Sequence, residues 1–144
     1  MQTRVNFYKV APDAYNALME LSKFIATTSL DPIHQELIKI RASQINGCAF
    51  CINMHTAEAR KHGETEQRIY LLSAWREADV FTDAEKALLA FTEEVTLISN
   101  HVSDDTYANA AKYFDEQYLS AVLMMIIIIN SWNRMAIATG LRVA

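Results

Sequence analysis

Two thiols, an imidazole and a carboxylate stand at spacings that suit sulfur and acid–base chemistry: Glu36, Cys48, Cys51 and His55. The two cysteines are the chain's whole complement, too few for a disulfide scaffold. At about 100° per residue, Cys48, Cys51, Ile52, His55 and Ala59 share one helical stripe, while Asn53, Arg60 and Lys61 turn toward water. Helical residues three apart stand roughly 5–6 Å from one another, and a disulfide accepts Cα separations of about 4.4–6.8 Å. The pair can therefore close and reopen with little backbone movement, as a cycling dithiol must. A free thiol titrates near 8.5 and is mostly protonated at neutral pH, so a nucleophilic cysteine needs a base or a depressed pKa. His55 lies four residues after Cys51 and can be that base. Cys48 has a different advantage, a place in the predicted first turn, where the helix dipole favours a thiolate. Glu36 sits at the edge of the preceding helix's apolar stripe. A tight hairpin at Gly47 would let it orient and polarise His55.

Plainer readings compete at each position. Buried cysteines are often inert, and Glu36 could form a surface ion pair with Lys39, worth under about 1 kcal/mol. A zinc site over Cys48, Cys51, His55 and His62 fails on distance. His62 lies about 10 Å along the axis from His55, whereas zinc ligands sit about 2.0–2.3 Å from the metal. A site from Cys51, His55 and Glu36 is the remaining metal reading; the expectation is no metal and no bound cofactor. Tyr15, Trp75, Tyr107 and Trp132 read as core or interface anchors rather than substrate platforms. Met124, Met125 and the isoleucine run Ile126–Ile129 read as core, and Arg134 as solvated or ion-paired.

The elements that must position these groups are helices. Gly and Pro total five of 144 residues, against roughly 17 at average usage, which disfavours a fold of many short turns. Pro12 opens a segment over 12–29 with Ala14, Leu18, Leu21 and Ile25 at helical spacing. Asp31 and Pro32 start a second helix with Ile33, Leu37 and Ile40 inward, ending at Gly47. A third helix spans 48–62 with Gly63 as its cap, and a fourth 64–78. Thr82 and Glu85 form a capping-box pattern before a helix over 83–98; Ser103 starts one over 104–117, and the last covers 118–139. That last helix is apolar all round, which suits a bundle centre or a subunit interface. The result is one all-α domain over 1–144, a bundle of six to seven helices. The net charge of −4 disfavours a nucleic-acid partner. No apolar signal core opens the chain, and the longest apolar run, 121–129, falls short of the roughly 20 residues of a membrane span. A cytoplasmic protein with no membrane partner is expected.

The stretch Asn46-Gly47-Cys48-x-x-Cys51-x-x-x-His55, with Glu36 twelve residues earlier, resembles the alkylhydroperoxidase D / carboxymuconolactone decarboxylase family. The likeness runs through residues 30–100 and more weakly into Asn130–Arg134. It implies an all-helical fold assembled as a homotrimer or homohexamer, and a thiol peroxidase acting on hydrogen peroxide or organic hydroperoxides. It further implies that Cys51 attacks the peroxide, that Cys48 resolves the sulfenic acid as a disulfide, and that His55 and Glu36 relay protons. The i,i+4 histidine agrees on Cys51, because a base beside the nucleophile can also protonate the leaving hydroxide. The family's best-known peroxidases carry a histidine between the cysteines where this chain has Phe50, and they draw electrons from a lipoyl group on a partner protein. The lactone-decarboxylase branch lacks the dithiol. Two alternatives to the peroxidase follow: a lyase acting on a small carboxylated lactone, and a redox sensor or chaperone without turnover.

Overall fold

The structure, a computed structural model, describes residues 4–143. Among them lie eight α-helices: α1 (Phe7–Val10), α2 (Pro12–Phe24), α3 (Pro32–Asn46), α4 (Ala49–Lys61), α5 (Glu66–Leu71), α6 (Asp83–Thr96), α7 (Asp104–Ala111) and α8 (Glu116–Thr139). Short 3₁₀ turns follow α2, α5 and α6. The expected all-α bundle is therefore present, with more helices than the six to seven read from periodicity.

Local chemistry sets most boundaries. The Asp31 carboxylate accepts from the amides of Ile33 and His34, and Pro32 fills the first turn of α3, satisfying N–H groups that have no partner inside the helix. Thr82 and Glu85 form the reciprocal capping box at α6. Gly47 ends α3 at φ 70°, and Gly140 ends α8 at φ 77°. That left-handed conformation costs glycine little.

Three expectations need correction. The 104–117 segment is not one helix. It breaks after Ala111, and Asp115 caps α8 by accepting from the Tyr118 amide, a side-chain bond that favours a new start over continuation. The 64–78 segment is α5 followed by a 3₁₀ stretch, with Ala74 outside helical dihedrals. The predicted stripe over 12–29 holds at Leu18, Leu21 and Ile25 but not at Ala14, which is exposed; Tyr15, Met19 and Ser22, also half-buried, widen the inward face.

The core sits between α3 and α8, which cross one another and collect α4, α6, α2 and α7 around them. Ile38 and Ala42 of α3 pack there with Val122, Ile126, Ile128 and Ile129 of α8, all at most 1% exposed, while Leu37 and Ile40 turn to a second cluster with Leu72, Trp75, Phe81 and Leu89. By length and composition α8 could cross a membrane. Packing accounts for its inner face, whereas Leu123, Ile127 and Ile137 remain exposed. Two polar residues inside this apolar helix pin it to α3. Asn46 donates to the side-chain oxygens of Asn130 and Asn133, both at 2.9 Å. Asn133 in turn donates to Ser43 Oγ at 2.9 Å. Away from this centre, Arg68 bridges Glu64 and Glu85 and lies over the Phe81 ring, tying α5 to α6.

Candidate active site

The Asn46 pin fixes the end of α3 immediately before Gly47 turns the chain into α4. Cys48 is the N-cap of α4, and its sulfur accepts from the Cys51 amide. It therefore stands just ahead of the first turn rather than inside it. Cys48 and Cys51 form a disulfide, with Cα atoms 5.3 Å apart, within the range expected for one helical turn. Both are 2% exposed and pack against Ala136 of α8, with Phe50 beside them.

The hairpin brings α3 and α4 face to face. His55 Nδ1 lies 3.2 Å from Glu36 Oε2. The two atoms are buried and have no other hydrogen-bond partner among the described residues. The ring is off line for a well-formed bond, as catalytic pairs often are before substrate arrives. The other carboxylate oxygen, Glu36 Oε1, accepts from Lys39 Nζ at 2.7 Å. Burial by itself would push the Glu36 carboxyl up, but His55 and Lys39 outweigh it and hold the group below its usual range. Glu36 thus has both partners that the sequence offered as alternatives. The ion pair with Lys39 is not a surface one.

A cavity of about 390 Å³ opens beside these groups. Cys51 and His55 lie in its wall, whereas Cys48 is not among the lining residues. Most of the wall is apolar and comes from α2 and α8. It includes Met19, Met125, Met135 and Trp132, and Met54 of α4 adds a fourth methionine. Methionine is unbranched and polarizable, which lets such a wall adapt to irregular shapes. Lys39 and Gln35 supply polar atoms from α3.

Four sequence candidates therefore come together: Glu36, Cys48, Cys51 and His55. His62 does not join them; it caps the far end of α4, and among the described residues no cluster suited to a metal ion occurs. Two aromatic readings change. Tyr15 and Trp132 meet edge to face at 5.4 Å and line the cavity, with the indole donating to Ser22 Oγ at 2.9 Å. Trp75 does belong to the core, donating to Glu93 at 2.8 Å, and Tyr107 packs on Phe91. Arg134 donates to the carbonyl and side-chain oxygens of Asn130 and pairs with no acid among the described residues. The cavity, the burial of Lys39 and the pinning role of the two asparagines escaped sequence reasoning. The only sequence signal for the asparagines was a pair of amides inside an apolar helix.

Comparison with known proteins places this geometry in context. The model of the carboxymuconolactone decarboxylase family matches residues 12–94. The uncharacterised protein YdfG of Bacillus subtilis is 48% identical over 145 residues, spanning 100% of this chain and 99% of that protein. A crystal structure from Agrobacterium tumefaciens, of a protein of unknown function suggested to be the antioxidant-defence protein AhpD, superposes with a TM-score of 0.96. It has 38% identity and covers 99% of both chains. The alkyl hydroperoxide reductase AhpD of Hyphomonas neptunium is 40% identical over 45 residues, which is 31% of this chain and 25% of that protein.

Proposed function

This chain belongs to the carboxymuconolactone decarboxylase family, and from that premise we propose that it is a dithiol peroxidase rather than a lactone decarboxylase. The observation that carries the reading is a disulfide whose Cys51 half opens onto an apolar cavity beside a His55–Glu36 pair. In the reduced protein, His55 takes the proton of Cys51. The thiolate attacks the outer oxygen of a hydroperoxide, the O–O bond breaks, and the proton passes to the departing alkoxide or hydroxide. Cys51 is then a sulfenic acid. The Cys48 thiol displaces its oxygen as water and forms the disulfide seen here. An external dithiol, such as a protein-bound lipoyl group, must reduce the disulfide by exchange and be oxidised itself to restart the cycle, which suits a reducing cytoplasm.

Two features of the wall support this assignment. Cys51 lines the cavity and Cys48 does not, so the residue with the neighbouring base is also the one a substrate reaches. Phe50 lines the cavity too, in the position where related peroxidases carry a histidine; this is a departure from them that removes one member of the proton relay and leaves that task to His55. Finally, the one charged side chain among the described lining residues, Lys39, is already neutralised by Glu36. A carboxylated lactone would find no free cation there. The exposed apolar face of α8, with Leu123, Ile127 and Ile137, suits assembly into a homotrimer or homohexamer.

The test is hydroperoxide-dependent turnover with lipoamide, thioredoxin and glutathione supplied separately. Cys51→Ser is expected to abolish consumption, whereas Cys48→Ser should leave a single stoichiometric oxidation without turnover. Steady turnover in Cys51→Ser refutes the assignment. Oxidation of the wild-type dithiol that none of the reductants can reverse would favour a sensor over an enzyme.

A further inference from the structure

We propose that Lys39 is a positioning residue of the site: its ammonium holds one oxygen of Glu36, which aims the other at His55 Nδ1. The inference rests on the peroxidase reading for its kinetic consequence but not for its geometry. Lys–Glu pairs three residues apart are common on helices and usually contribute little. This chain has two such pairs for comparison. Lys23–Glu20 has side chains 65% and 70% exposed, and Lys61–Glu58 has 69% and 41%. Lys39 and Glu36 are only 17% and 5% exposed. The same contact is therefore drawn out of water at the one place where its carboxylate also meets the site histidine.

The arrangement fixes the carboxylate from both ends. Lys39 Nζ holds Oε1 at 2.7 Å, and Oε2 is left with His55 as its sole neighbour of opposite character, at 3.2 Å. Without Lys39, nothing described would stop the carboxylate from turning, and a buried carboxylate resists ionisation. Few other charges face it. From its own helix there is Lys39, and from α4 there are His55 and Glu58. Glu58 is a like charge, engaged by Lys61 at 2.6 Å. Glu36 itself stands behind the cavity wall; on the cavity side of Lys39 and His55, α8 presents Met125, Ile128, Ile129, Trp132, Met135 and Ala136, all uncharged. Lys39 is thus the permanent cation that balances Glu36 whether or not His55 carries a proton. Its loss would leave that balance to the imidazolium alone, and the Glu36–His55 pair would hold its proton more tightly.

The experiment compares Lys39→Met and Lys39→Arg with the wild type, all with the dithiol reduced. Two readouts are taken: the His55 ring signals by NMR across pH, and the acid limb of hydroperoxide turnover. Lys39→Met should move both upward by about one pH unit, the lower end of the effect of a charge at contact distance, and Lys39→Arg should restore them. A folded Lys39→Met protein whose ring titration matches the wild type overturns the proposal. A ring titration that moves in a protein with no turnover leaves the Lys39 assignment standing and removes the peroxidase reading instead. If Lys39→Met does not fold, Lys39→Gln carries the same test.

Discussion

Glu36 is the residue on which chemistry and stability meet. Its carboxyl is held below its ordinary value of 4.5 against the cost of burial, by His55 and Lys39. A group whose folded value is depressed contributes stability that is fully present above the unfolded value and is lost as pH falls through the folded one. Thermal stability of the wild type should therefore fall as pH is lowered from about 5 toward 3, a window set by that direction of shift. Glu36→Gln should start less stable at pH 7 but lose less over the same window. A residual slope should remain, because Glu85 and Glu93 are depressed in the same direction by Arg68 and by Trp75, Arg76 and Arg41. Parallel acid profiles for wild type and variant would show that Glu36 is not held ionised by its partners. At this scale the sequence was informative where chemistry repeats with helical period. Cys51 and His55 lie on one helix with Cys48 as its N-cap, so their proximity followed from spacing alone. Lys39 was visible as a neighbour of Glu36 but not as a buried one, since burial depends on which helix covers the pair.

At the scale of elements, the α3–α4 hairpin decides whether the carboxylate and the imidazole meet. Gly47 makes the turn at φ 70°, and a Cβ built there would touch nothing within 4 Å. The cost of Gly47→Ala is therefore backbone strain alone, about 1–2 kcal/mol. Gly47→Asn should cost less, because asparagine tolerates the left-handed region. Urea unfolding checks this, and an Asn variant as damaged as the Ala variant would contradict it. Capping residues such as Asp31, Thr82 and Ser103 were legible because each acts within four residues of its own helix. The break between α7 and α8 was expected after residue 117 and falls earlier, because Asp115 caps α8 by accepting from the Tyr118 amide, inside a stretch whose composition also supports a longer α7. The cavity was not legible either. It exists only because Tyr15, Met19 and Ser22 of α2 face Met125, Trp132 and Met135 of α8, elements separated by about a hundred residues of chain.

For the molecule as a whole, the outer face of α8 is the feature that packing within one chain does not explain. Leu123, Ile127 and Ile137 are 40%, 43% and 46% exposed, and large exposed apolar patches commonly mark interaction surfaces. Ile127→Glu should leave the fold intact, because the side chain already meets water. It should also reduce the mass measured by light scattering from that of an assembly to that of one chain. An unchanged mass would move the interface elsewhere. The division of labour between chain segments has a longer reach. Glu36, Lys39, Cys48, Cys51 and His55 all belong to twenty consecutive residues, while much of the chamber's lining belongs to α2 and α8. Under the proposed function, reactivity and selectivity thereby sit on separate stretches of sequence. Substitutions in the distant walls would exchange one occupant for another and leave the dithiol hairpin untouched.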